Sequence, residues 1–131
     1  MFAELFILMY AAHLAADYPL QTDHQAGCKA SHGAAGWRAN LAHVGTHFVA
    51  VAVALLVGHL VLDLAIPVLP AVLALVWIAG THAVIDRRWP VAAWMRFARQ
   101  AGWARHGGAA HVDQTAHVLV LVVAALVLAA I

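Results

Sequence analysis

Four stretches of this chain are long and apolar enough that hydrocarbon is the solvent they suit. A helix that crosses a bilayer needs about 20 mostly apolar residues, within a range of roughly 17–25. Runs of this kind cover about residues 2–18, 40–62, 68–86 and 113–131. Of 131 residues, 65% are hydrophobic and 10% are charged, against about 25% charged in an ordinary soluble domain. A soluble domain of this length has too much surface to hide so much apolar material. The expected fold is therefore all-α: a four-transmembrane-helix bundle forming a single integral membrane domain over residues 1–131, with the lipid bilayer as its partner. The first run carries Glu4 where a secretory signal would carry a basic segment, so it reads as a membrane span rather than a cleaved leader.

Charge orients the bundle. All seven basic residues (Lys29, Arg38, Arg87, Arg88, Arg96, Arg99 and Arg105) lie between the first and second runs or between the third and fourth. Four of the five tryptophans share those connections. The positive-inside rule then places both long connections in the cytoplasm and both termini outside, in a multi-pass protein of the inner (cytoplasmic) membrane. A net charge of +1 gives no basic field for nucleic acid, so no nucleic-acid partner is expected. Cys28 stands alone and cannot form an intrachain disulfide. In the second connection Pro90 suits a first helical turn. Val91, Trp94, Phe97, Ala98 and Ala101 fall on one face, with Arg96, Arg99 and Gln100 on the other. The pattern predicts an amphipathic helix on the cytoplasmic leaflet.

Ten histidines in a membrane chain are the anomaly, because ionisable side chains are costly in hydrocarbon and rare there without a task. Each run carries a pair of metal-competent residues four apart: His13/Asp17, His43/His47, His82/Asp86 and Asp113/His117. That spacing puts both members on one helical face, about 6 Å apart along the axis. The pairs repeat, thirty residues from His13 to His43 and thirty-one from His82 to Asp113. The chain thus reads as two similar helical hairpins, which would be related by a pseudo-two-fold axis along the membrane normal. Every pair sits at the end of its run that faces the cytoplasm, so the eight side chains are expected to meet in the inner third of the bundle, as in other helical metal sites. Singly, such a pair is commonly an ion pair or a helix cap, as Asp113 would be. His59/Asp63 has the same spacing at the opposite end and is read as an interfacial ion pair.

The string His13-Leu-Ala-Ala-Asp17-Tyr-Pro-Leu-Gln21-Thr22-Asp23, followed by Lys29, resembles the opening motif of the domain-of-unknown-function family 3307, small membrane proteins of bacteria and phages. His43, the segment Thr81-His82-Ala-Val-Ile-Asp86 with Arg87 after it, and Asp113-Gln114-Thr-Ala-His117 resemble its later elements. The resemblance covers nearly the whole chain and brings no activity with it. The paired motifs are similar in style to those of membrane-bound metal-dependent hydrolases, which is analogy alone.

The residues then support one main expectation. His13, Asp17, His43, His47, His82, Asp86, Asp113 and His117 would hold one or two divalent transition-metal ions, since eight ligands exceed one four-coordinate site. Mixed imidazole and carboxylate ligation suits Zn, Mn or Fe. Asp17, Asp86 and Asp113 are the candidate catalytic carboxylates. Lys29, Arg87, Arg88, Gln21 and Gln114 are candidate contacts for a lipid or phosphate-bearing substrate. The main expectation is a metal-dependent hydrolase opening to the cytoplasm, either alone or as a homodimer. The alternatives are a metal-ion or proton transporter using the same cluster, a redox site, and interhelical polar glue.

Overall fold

The computed structural model describes residues 1–131 and is entirely helical, without a strand. Helix α1 (Phe2–Asp17) stops where Pro19 removes an N–H and constrains the residue before it. A short helix, α2 (Asp23–Cys28), follows. Its capping box is complete: Thr22 Oγ1 accepts from Gln25 N and the Gln25 side chain accepts from Thr22 N. Helix α3 (Gly33–Val61) begins seven residues before the apolar run expected from residue 40. Gly33 enters it at φ 77, a conformation glycine adopts without steric cost. Helix α4 (Val68–Ile85) starts after Pro67 and ends on Asp86 as its C-cap.

Arg88 turns the chain at φ 63, a left-handed backbone that costs a side-chain-bearing residue roughly 1–2 kcal/mol. Helix α5 (Trp89–Phe97) then runs with Pro90 in its first turn. It is the helix expected there, with a correction to its faces. Val91 and Met95 are buried, whereas Trp94 and Phe97 are exposed. Arg99, at φ 57, ends the element before Ala101, so the expected apolar face is cut short. A single turn, α6 (Ala101–Trp103), leads through a kink at His106 and Gly107 into α7 (Ala109–Ala129).

The four long helices pack as a closed ring in which α1 and α4 each touch both α3 and α7. Its interior is divided along the axis. One half is apolar: Leu5 and Met9 from α1, Val51 and Leu55 from α3, Ile78 from α4, and Leu121 and Leu128 from α7 are all buried together. The other half is polar, and holds His13, Asp17, Asn40, His43, His47, His82, Asp86 and His117, all buried. Apolar and polar residues continue one stripe of four-residue steps, as in Leu5-Met9-His13-Asp17 on α1 and Ala74-Ile78-His82-Asp86 on α4. The outward faces are strongly apolar, with Ile7, Val49, Leu56, Leu73, Val76 and Leu119 all more than half exposed. Contiguous apolar surface on that scale marks a face that does not meet water.

Three segments are long and apolar enough to cross a membrane: Gly33–Val61, Val68–Ile85 and Ala101–Ala129. Helix α1, at 16 residues, rises about 24 Å and falls short of a hydrocarbon core about 30 Å thick. At the apolar end His59 and Asp63 do not form the expected ion pair. Asp63 lies past the end of α3 at φ 53, and the His59 ring donates from Nδ1 to the Leu64 carbonyl, 2.9 Å away.

Candidate metal centre

The polar half is built on two carboxylates, one from α1 and one at the end of α4. Asp17 gathers the first set. His43 Nε2 and His47 Nε2 lie 3.2 and 3.1 Å from its Oδ1. On Oδ2 it receives Gln114 Nε2 at 2.9 Å and has His13 Nε2 at 3.2 Å. Asp86 gathers the second, with His82 Nε2 at 3.1 Å, His43 Nε2 at 3.4 Å and Lys29 Nζ at 3.0 Å from Oδ2. His117 Nε2 stands 4.0 Å from Oδ1.

His82 is the hub. Its ring centroid is 3.7 Å from that of His47, 4.2 Å from His117, 5.2 Å from His43 and 5.6 Å from His13. Two groups bring their donor atoms within 4.8 Å of one another, a spacing that can hold a metal ion. They are Asp17 with His43, His47 and His82, and Asp86 with His82 and His117. His82 belongs to both.

The second group shows a mismatch that hydrogen bonds alone do not resolve. His117 Nδ1 donates to the Asp113 carbonyl at 3.0 Å. That bond turns Nε2 into the cluster. His117 Nε2 is buried without a hydrogen-bond partner, while Lys29 Nζ and His82 Nε2 both crowd onto the single Asp86 Oδ2. Lys29 meets Asp86 from one side only, and the His117 nitrogen is left unpaired, which is rare for a buried polar atom. The donor set therefore fits a divalent ion. Imidazole and carboxylate together suit zinc, manganese and iron alike.

A family profile described as "Protein of unknown function (DUF3307)" matches residues 5–131. The chain belongs to the DUF3307 family. No curated protein and no solved structure matches it.

In this DUF3307 chain a cavity of about 490 Å³ opens beside the cluster at the polar end of the ring. Gln21, Lys29, Asp86, Arg88 and Asp113 line it, with Val91 of α5. Five of the residues singled out by sequence thus share one hollow, and Asp86 connects it to the buried histidines. Asp113 sits at its rim, its side chain 23% exposed and its Oδ2 3.5 Å from His117 Nδ1. His13 and Asp113 stand outside both four-atom and three-atom groups. His13 instead donates toward Gln114 Oε1, 3.3 Å away, and leans on Asp17.

Arg87 and Gln114 are engaged elsewhere than in the cavity. Arg87 donates from Nη1 to the Lys29 carbonyl and from Nη2 to the Ser31 carbonyl, both at 2.7 Å. Its guanidinium also lies 4.6 Å over the Trp37 ring. It clamps the α2–α3 turn and so holds Lys29 against Asp86. Sequence reasoning passed over Asn40, which is fully buried and donates to the Ala83 carbonyl near the end of α4 at 3.3 Å. An asparagine three residues before His43, on the same face, was the available signal.

Proposed function

We propose that this is a four-span membrane protein, made of two similar hairpins, whose buried His/Asp cluster holds one or two divalent metal ions for hydrolysis at the cytoplasmic face. The observation that carries the reading is the two His/Asp groups whose donor atoms lie within 4.8 Å of one another and share His82, beside a cavity lined by Lys29 and Arg88 as well as Asp86 and Asp113. A divalent ion held there supplies Lewis acidity to a substrate oxygen and eases deprotonation of water. The chain's own residues supply the rest. Lys29 and Arg88 draw an anionic substrate group into the cavity, and Gln21 offers it a hydrogen bond. Asp113, at the rim, is the carboxylate best placed to take up or return a proton. Asp17, enclosed by imidazoles, orients His43 and His47 and keeps their nitrogens in place.

The hairpin reading is supported by like geometry in the two halves. His13 Nε2 meets Asp17 at 3.2 Å and His82 Nε2 meets Asp86 at 3.1 Å. Each hairpin also carries a short helix in its long connection, α2 in one and α5 in the other. The apolar half of the interior speaks for a one-sided site. An ion crossing past Leu5, Met9, Leu55, Ile78 and Leu121 would meet no polar lining there, at a large desolvation cost.

Elemental analysis of purified protein tests the proposal. Wild type is expected to carry zinc, manganese or iron at one or two per chain. His82→Ala, which takes a ligand from both groups, is expected to lose it. His13→Ala is expected to keep the ion with affinity lowered roughly 10–100-fold, as for a residue that orients a ligand. Wild type holding no more metal than a His13/His82 double variant would refute the reading.

A further inference from the structure

The cavity at the polar end has an apolar continuation. On the far side of Val91 a groove of about 410 Å³ runs between α5 and α7. Ile85, Pro90, Trp94, Val112, Ala116 and Leu119 line it. Val91 lines both hollows, so the polar cavity and the apolar groove meet at one side chain. From Asp113 in the cavity to Leu119 in the groove, α7 rises about 9 Å. Leu119 is more than half exposed and opens onto the apolar outer surface of the ring. A molecule in the surrounding hydrocarbon can therefore reach the groove without crossing water.

At the inner end the charged lining is Lys29, Arg88, Asp86 and Asp113, and Arg88 is the cation left for an anion to meet. Arg88 forms no ion pair, and its left-handed backbone at φ 63 sets it between Asp86 and α5. Lys29 Nζ stands at the inner wall, 3.0 Å from Asp86 and 3.1 Å from His43 Nε2. One end of the combined hollow thus offers an anion the unpaired Arg88 guanidinium, with the Lys29–Asp86 pair beside it, and the other takes hydrocarbon.

We infer that the substrate is an amphiphile, its anionic headgroup against Arg88 and Lys29 in the cavity and its acyl chain along the α5–α7 groove beside Trp94. The inference rests on the hydrolase reading for the word substrate, while the binding site stands on its own geometry. A headgroup anion and a free anion such as phosphate share the same recognition chemistry at Arg88. The groove favours the molecule with a chain.

The test uses tryptophan fluorescence of the full chain in phosphatidylcholine nanodiscs. A minor fraction of the lipid is replaced by phosphatidylglycerol, or by phosphatidylcholine, carrying the same brominated acyl chain. Bromine quenches an indole it touches, so the excess quenching by the anionic lipid reports its place beside Trp94. That excess is expected in wild type and expected to vanish in Trp94→Phe, which removes the reporter. Arg88→Gln is expected to weaken the anionic preference about fivefold, the worth of one cation near an anionic lipid. Arg105→Gln, outside the cavity, is expected to leave it unchanged. Ala116→Leu, which fills the groove, is expected to lower quenching by both lipids. Equal quenching by the two lipids, or an excess that survives Trp94→Phe, would overturn the inference. So would reversal of the quenching by inorganic phosphate alone, which would mark a free-anion site. Quenching reads occupancy rather than metal or turnover. A protein without metal that still prefers the anionic lipid would end the hydrolase reading and leave the lipid site standing. Metal without lipid preference would do the reverse.

Discussion

Arg87 shows how a residue can belong to a site without facing it. Its two bonds to the Lys29 and Ser31 carbonyls and its contact with Trp37 hold the turn that places Lys29 Nζ beside Asp86. Arg87→Ala is expected to lower stability by about 2 kcal/mol, the scale of charge-assisted hydrogen bonds. Arg87→Lys should recover little of it, because an ammonium cannot reproduce a planar two-pronged fork. Thermal unfolding in detergent measures both. In the sequence Arg87 and Arg88 are indistinguishable neighbours. Their roles separate only because Arg88 takes a left-handed backbone and the two side chains leave in different directions. The same limit applied to His59, whose partner is a backbone carbonyl and not the aspartate four residues on. Helical spacing tells which residues share a face. It does not tell which atom of another helix, or of a loop, meets them.

Among the elements, the four long helices were legible from apolar length, and their polar pairs from the period of four. What escaped was the start of α3 and the whole of α2. Residues 33–39 are too polar at Arg38 and too rich in glycine to extend an apolar run, yet they are helical because Gly33 supplies the entry turn. Gly36 also packs against the Ser31 carbonyl, where a Cβ would collide with it. Helix α2 did have a signal, the spacing Thr22-x-x-Gln25, which is a capping box. At six residues the helix is too short to persist without its cap. Thr22→Ala removes one of the two reciprocal bonds, at a cost of about 1 kcal/mol. The expected result is faster amide hydrogen exchange across residues 23–29, with α3 and α7 unchanged, read by mass spectrometry.

At the scale of the molecule, polar and apolar halves are stacked along one axis, and every basic residue lies toward the polar end or in the connections there. This division was visible in the sequence as the position of each pair within its run. The convergence on His82 was not, since helix rotation alone decides which ring becomes the hub. In the orientation proposed from the charge pattern, the polar end faces the cytoplasm. Cys28, half-buried at the end of α2, is expected to react with an impermeant maleimide in inverted vesicles and not in intact cells. Reaction in intact cells would reverse the orientation and move the site to the outside.

The ring also has one low wall. On the proposed four-span reading α1 is about 6 Å shorter than the hydrocarbon around it, so lipids on that flank would be compressed or the whole ring would lean. A compressed annulus costs fractions of a kcal/mol for each ångström of mismatch, and that cost falls as the bilayer thins. The protein would then collect where the membrane is thinnest, and long-chain lipids would be turned away from one side of it.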